Sequence, residues 1–407
     1  MTKLVIKLDE QTFASSDRIE QITNKIIQEK ESGYDVVIVA PFINLIDEKV
    51  KQYAYTLSEQ PTKRELDSIR STNTQIASSL LAIAMNARGY KAVSLTGCQA
   101  GIETFSTKRN VLIDRIENEC LKNYLSKDII PIIAGAQGKD AVNNITLLGE
   151  GGPETTAVAV AVAIDAERVD IYTNATGVFT ADPKIVKTAK QIKQLSYDEL
   201  LELSLLGSKI IHPRAVELAK KYNMSLVVCS STENIPGTVI KGEVDMERNL
   251  IVRGVAYETD IIRLTVGYES YEQASLANLF TTLADNQINV DIIVQAVIDG
   301  VNPTVSFSIE KEVFAEAVKV LESSKRSLGF SFADFEVGLA KVSIVGSGMV
   351  SNPGVAARMF DRLRSENIPV KMVSTSEIKV SVVVPQDDMV RAANALHDEF
   401  NLVEEIV

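Results

Sequence analysis

Residues Thr146 to Thr156 read Thr-Leu-Leu-Gly-Glu-Gly-Gly-Pro-Glu-Thr-Thr. A glycine-rich turn between a strand and a buried helix lets backbone N–H groups approach a phosphate. The positive end of the helix dipole stands behind them. The same pattern also serves as an ordinary tight turn that packs a helix on a sheet. On glycine count alone that plainer reading is the better one. Lys7, at the end of a short apolar run, is the cation best suited to touch phosphate; a strand-end surface lysine is its rival reading. Asp182, just before Pro183, reads as a nucleotide contact or as a turn initiator. His212, in Ile211-His-Pro-Arg214, reads as a helix cap, and His397 as an exposed residue on a polar helix. Cys98, Cys120 and Cys229 lack metal-like spacing. Neither a Ser-His-Asp arrangement nor a Walker-type loop is present, and no metal site is expected.

The elements that must position these groups alternate. Lys3 to Leu8, Tyr34 to Ala40, Ala92 to Thr96, Ile129 to Ala134, Arg168 to Thr173 and Leu226 to Cys229 read as strands. Asp17 to Ser32, Ser71 to Arg88, Asn110 to Ser126, Ala157 to Asp165, Ser196 to Leu206 and Pro213 to Tyr222 read as helices. Ala136 to Asn144 reads as a loop. Such alternation predicts a mainly parallel sheet covered on both faces. Ligands in such sheets sit at the carboxyl ends of the strands. The loops after Leu8, Ala40, Gly135, Leu148 and Thr173 are therefore the candidate site.

The last third repeats itself. Ala274 to Val290 aligns without gaps with Gly354 to Val370, matching Phe280 to Phe360, Leu283 to Leu363 and Ile288 to Ile368. With the strands around them, each copy reads β-α-β-β-α-β, a ferredoxin-like pattern. The pattern fits a regulatory module or a purely dimerising one. The polar segment from Lys241 reads as a linker. The formal net charge of −12 over 407 residues argues against nonspecific nucleic-acid binding. No apolar run is long enough to span a bilayer, and the N-terminus does not read as a signal peptide. The odd cysteine count fits free thiols in a reducing cytosol, so a cytoplasmic location is expected.

Several stretches together resemble the aspartate kinases, which have an amino-acid kinase fold followed by two ACT domains. They include Ser94-Leu-Thr-Gly-Cys-Gln-Ala-Gly-Ile102, Thr180-Ala-Asp-Pro-Lys184, Leu206-Gly-Ser-Lys-Ile-Ile-His-Pro-Arg214, Val342-Ser-Ile-Val-Gly-Ser-Gly-Met-Val350 and Asn352-Pro-Gly-Val-Ala-Ala357. The resemblance implies a kinase domain over 1–240, a linker over 241–249 and ACT domains over 250–338 and 339–407. It implies transfer of the ATP γ-phosphoryl group to the aspartate side-chain carboxylate, with feedback by an amino-acid effector. Carried over, Lys7 and Glu154 are catalytic. Gly151, Gly152, Thr173, Asp182, Lys184 and Lys209 bind nucleotide, and Gln295, Asn352 and Asn367 bind effector. Mg-ATP is the cofactor if the chain is active; otherwise there is none.

The departures from the family pattern fall at the chemistry. Lys-Phe-Gly-Gly-Thr-Ser is here Lys7-Leu8-Asp9-Glu10-Gln11-Thr12. At roughly 4 Å and a near-surface dielectric, each carboxylate facing phosphate would cost about 4 kcal/mol. The substrate-binding Glu of Ser-Thr-Gly-Glu is Thr74, and the substrate Arg of Gly-Arg-Gly-Gly-Ser-Asp is Glu150. Pro153 removes an N–H donor, and Glu154 is one methylene longer than the family Asp. Thr-Asp-Val-Asp-Gly reads Thr173-Asn-Ala-Thr-Gly177, which removes both acids, and the first ACT module has Tyr271-Glu-Gln-Ala274 in place of Asp-Lys-Pro-Gly. The expectation is a weak or inactive kinase acting as a regulatory homologue. A functional aspartate kinase with a divergent site, or a kinase for another small acceptor, are the alternatives. A homodimer through the ACT domains and association with an active aspartate kinase are the expected partnerships, with neither nucleic acid nor membrane.

Overall fold

The computed structural model describes residues 2–43, 47–107, 110–205, 210–242, 251–269, 273–297 and 302–403. Two compact units emerge. One comprises Met1–Val178, Gln191–Leu205 and Lys209–Met246; the other comprises Phe179–Lys190, Leu206–Ser208 and Glu247–Val407. Lys209, most of the 241–249 segment, Tyr271 and Glu272 lie outside the described residues.

The first unit has strands β1 (Thr2–Lys7), β2 (Tyr34–Ala40), β3 (Ala92–Leu95), β4 (Ile102–Ser106), β5 (Val111–Ile116), β6 (Ile130–Ala134), β7 (Gln137–Lys139), β8 (Ile145–Leu147), β9 (Arg168–Thr173), β10 (Gln194–Leu195), β11 (Ser225–Ser230) and β12 (Thr238–Ile240). Its helices are α1 (Ser16–Glu31), α2 (Asp47–Leu57), α3 (Lys63–Ala87), α4 (Glu119–Ser126), α5 (Gly152–Ile164), α6 (Tyr197–Leu205) and α7 (Pro213–Tyr222). Eight strands form one sheet in the order β10-β12-β11-β9-β1-β2-β6-β3. Every pairing in it is parallel except β11 with β12. The central strands are apolar throughout because both faces are covered. Leu4, Ile6, Val36 and Ile38 pack with Ile22 and Ile26 of α1 and Leu81 and Met85 of α3. Helix α5 has no polar face, and Ala157, Val158, Val160, Ala161 and Ile164 are fully buried, as an all-round apolar helix must be.

Residues 110–126 do not form the expected single helix. Val111–Ile116 is strand β5, and only Glu119–Ser126 is helical. The β-branched start pairs with β4 in a second sheet, ordered β5-β4-β7-β8. The expected loop over 136–144 contains β7, which hydrogen-bonds with β8 just before the glycine-rich turn.

The second unit has strands β13 (Gly254–Gly267), β14 (Ile293–Ala296), β15 (Thr304–Glu310), β16 (Phe332–Val345), β17 (Met372–Thr375) and β18 (Lys379–Pro385), with helices α8 (Gln273–Asp285), α9 (Phe314–Leu328), α10 (Val355–Ser365) and α11 (Met389–Glu399). All six strands join one sheet, ordered β14-β15-β13-β16-β18-β17. Strands β13 and β16 are long and serve both repeats. Gly254 to Glu258 pair with Lys341 to Val345, and Ile261 to Gly267 pair with the other half of β16 and with β15. Leu264, Leu283, Ile288 and Phe307 share one core, while Val255, Val342, Met359, Leu363 and Leu396 share another. Residues 252–258 thus pack with the second core, and the first repeat is inserted after the second has begun. A boundary at 338/339 therefore does not follow the packing. The repeat itself extends to the backbone. Gln287 and Asn367, which the alignment pairs, both end their helices at positive φ, 60° and 55°.

His397 is not exposed. It is fully buried; its Nε2 lies 2.9 Å from the Thr180 hydroxyl and its Nδ1 3.4 Å from that of Thr188. Burial pushes the imidazole below its ordinary value, against a weaker pull from Asp398. Two hydroxyls satisfy a neutral ring, whereas among the described residues no carboxylate forms an ion pair with an imidazolium there. The folded value lies below the unfolded value of about 6.5, so the unfolded chain binds the proton more readily. The stability from neutral His397 is complete above pH 6.5 and is lost as pH falls below it. Urea unfolding between pH 7.5 and 5 should show this slope, and His397→Gln should flatten it; an unchanged slope would refute the assignment.

Candidate active site

Lys7 is the last residue of β1, held between Val39 of β2 and Ile171 of β9. That position desolvates it, and only 10% of its side chain is exposed. Its ammonium meets Glu154 Oε1 at 2.5 Å, with the Glu154 side chain 16% exposed. Burial pushes the Glu154 carboxyl up, but Lys7 outweighs this and holds it below the usual carboxylate range. The two residues expected to be catalytic are thus brought together.

The turn that delivers Glu154 is fixed from several sides. Leu147 N–H donates to Asp67 at 3.3 Å, and Leu148 N–H to the Ala136 carbonyl at 2.9 Å. Gly135 lies so close to this turn that an added Cβ would stand 2.5 Å from the Ala40 carbonyl oxygen and 3.3 Å from Pro153 Cα. Gly151 takes a left-handed φ of 66° against the His212 ring. The first turn of α5 offers few donors. Gly152 N–H is taken by the Gly149 carbonyl at 3.1 Å and Pro153 has none, while Thr155 N–H makes the ordinary first helical bond, to the Gly151 carbonyl at 2.9 Å. Glu150 is exposed at the tip of the turn.

Asp9 does not face outward as a bare charge. Its Oδ1 accepts from Thr12 N–H at 2.8 Å and from the Thr12 hydroxyl at 2.7 Å; its Oδ2 accepts from the Ser231 hydroxyl at 3.0 Å. It caps a short 3-10 helix, Glu10–Phe13, whose first residue Glu10 is exposed. Thr74 is fully buried and accepts from the Gln137 amide at 2.7 Å, which also donates to the Ser71 carbonyl at 3.0 Å. Gln137 and Asp67 escaped the sequence reading. A signal existed: Asp67, Ser71, Thr74 and Ser78 recur at helical spacing and are all buried, a polar stripe on an inward face.

The remaining nucleotide-side and effector positions have local roles. Thr173 ends β9, and its hydroxyl accepts from Ala175 N–H at 3.0 Å. In the second unit, Asp182 accepts from Lys184 N–H and from the Tyr257 hydroxyl, each at 2.9 Å; Lys184 is exposed. Gln295 is exposed on the edge strand β14. Asn352 donates to the Gly348 carbonyl at 2.8 Å, and Asn367 closes α10. Among the described residues, no group of three or more His, Cys, Asp or Glu side chains is placed to hold a metal ion. No described helix is long and apolar enough to cross a membrane.

Lys7→Met would leave the Glu154 carboxylate buried without a partner. The expected loss is about 3 kcal/mol in urea unfolding at neutral pH. Lys7→Met/Glu154→Leu should recover part of it. A loss under about 1 kcal/mol for the single variant would show that the pair behaves as a solvated one.

The amino acid kinase family model matches residues 2–230, and an ACT domain model matches residues 342–400. An aspartokinase of Bacillus sp. (strain MGA3) is 48% identical over 402 residues, covering 99% of this chain and 98% of its own. Aspartokinase 2 of Bacillus subtilis (strain 168) is 47% identical with the same coverage. The structure of E. coli aspartokinase III in complex with aspartate and ADP superposes with a TM-score of 0.78 at 20% identity. It covers 97% of this chain and 99% of that one, a likeness of fold. By full-length similarity and by architecture, the chain belongs to the aspartate kinase family.

Proposed function

We propose that this chain is an aspartate kinase homologue in which phosphoryl transfer from Mg-ATP to the aspartate side chain is weak or lost, and that its role is regulatory. The observation that carries this reading is the state of the α5 N-terminus. Pro153 has no N–H and the Gly152 N–H is already bonded to the Gly149 carbonyl, so fewer first-turn donors remain to cradle a phosphoryl. The β1 loop adds to it, because Asp9 draws the Thr12 N–H and hydroxyl onto itself. The residues present therefore fit a triphosphate poorly. Mg-ATP, when bound, would supply the transferable phosphoryl group and charge neutralisation by the metal. Each missing oxyanion donor removes roughly 100- to 1,000-fold of rate. On the acceptor side, Thr74 is sealed by Gln137, and Glu150 presents a negative charge where a carboxylate would have to enter.

The ferredoxin-like unit supports the regulatory half of the proposal. Its edge strand β14 exposes Ile293, Val294 and Gln295, an edge suited to pairing with a second copy in a homodimer. An amino-acid effector and an active aspartate kinase are the proposed partners of this unit.

A coupled assay with Mg-ATP and L-aspartate should give no aspartyl phosphate above background. Restoring Asp9→Gly, Glu10→Gly, Thr74→Glu and Glu150→Arg together should raise turnover. Turnover of the unaltered chain in the ordinary kinase range, about 1–100 per second, would overturn the reading.

A further inference from the structure

The segment His212–Arg214 grips the glycine-rich turn at both ends. At the front, the Arg214 guanidinium donates to the Leu148 carbonyl at 2.9 Å and to the Val111 carbonyl at 2.8 Å. This fork ties the turn to the start of β5. At the back, the His212 ring fills the space beside Gly151: a Cβ added there would lie 2.2 Å from the ring Cγ. The two grips are coupled, because Arg214 N–H donates to His212 Nδ1 at 3.3 Å. That bond leaves the proton of a neutral ring on Nε2. Pro213 between them starts α7, whose Ala215, Val216 and Ala219 are buried, so the segment rests on a packed helix.

Arg214 is a half-buried cation whose hydrogen bonds run to backbone carbonyls. No carboxylate pairs with it among the described residues, and burial alone moves it, downward. A guanidinium kept half out of water with carbonyls as its acceptors is poorly explained as a solubilising group. Its geometry is that of a brace.

We infer that His212 and Arg214 are positioning residues of the candidate site: they set the turn Leu148–Gly152, and with it the first turn of α5, so that Glu154 meets Lys7. This rests on the reading that the turn is the phosphate side of the site, whatever rate of transfer remains. Neither residue hydrogen-bonds Lys7 or Glu154; Arg214 acts through the backbone between, while His212 also helps, by its charge, to hold the Glu154 carboxyl down. A displacement of about 1 Å at such a turn is enough to spoil a reacting geometry.

Two readouts on the intact chain, without nucleotide, test this. The first is hydrogen–deuterium exchange in wild type, Arg214→Met, Arg214→Lys and His212→Asn. Asn keeps an N-cap oxygen but removes the ring from Gly151. Peptides spanning 148–156 should exchange about 10-fold faster in Arg214→Met and His212→Asn, with α1 peptides unchanged and Arg214→Lys in between. The second is the titration of the Glu154 carboxyl by carbon NMR, assigned against Glu154→Gln. Its midpoint should rise in Arg214→Met and return partway in Arg214→Lys; His212→Asn is read by exchange alone, because the ring also acts on Glu154 directly. Equal acceleration of exchange in every peptide, or an unmoved Glu154 midpoint, would overturn the inference. Should Arg214→Met fail to fold, Arg214→Lys carries both readouts and His212→Asn the exchange readout. Because no nucleotide is present, failure here is distinct from failure of the kinase-homologue reading, which the coupled assay decides alone.

Discussion

One ion pair organises the functional edge of the first unit. A lysine ending a central parallel strand loses most of its water to its neighbours and needs an opposite charge within reach. Glu154 supplies it at 2.5 Å. The helix that carries Glu154 has no polar face to offer water, so its start is fixed by the sheet beneath it. Gly135, Gly151 and Asp67 hold the turn that leads into that helix start.

The replacements for the family glycines act differently from what charge alone suggests. The sequence leads one to expect Asp9 and Glu10 as like charges crowding a phosphate. Asp9 instead turns back on its own loop and is satisfied by Thr12 and Ser231. Under the proposed function, an incoming anion would meet withdrawn donors as well as added charge. The helix side loses donors too, since Pro153 has no N–H and the Gly149 carbonyl takes that of Gly152. The chain is 48% identical to an aspartokinase over nearly its whole length, and the loops that differ in the proposed function are those of Asp9 and Pro153.

Much of this was legible in the residues. Helices α1, α5 and α7 and the central strands follow from periodicity and caps, and the repeat follows from an ungapped alignment. The meeting of Lys7 with Glu154 came from resemblance, since nothing in local spacing links position 7 to position 154. Strand β5 was misread because Val111-Leu-Ile-Asp-Arg-Ile suits a helix face and a strand alike; its partner β4 decided the matter. Strands of three residues, such as β7 and β8, carry too little pattern to be seen. His397 was misplaced because its charged neighbours hid the stripe it belongs to: Ala393 and Phe400, one turn away on either side, are buried. Asp182 read equally well as ligand contact or turn residue, and its bonds to Lys184 N–H and Tyr257 describe the turn.

The two long strands of the second unit carry a consequence for how it folds. Each runs through both cores, with a register shift after Glu258 where Asp260 takes a left-handed φ. Neither repeat can melt without stripping a strand from the other, so the pair should behave as a single cooperative block. The unit resembles one beam bent through two rooms more than two beads on a string, and a chain severed between the repeats would leave each room missing a wall.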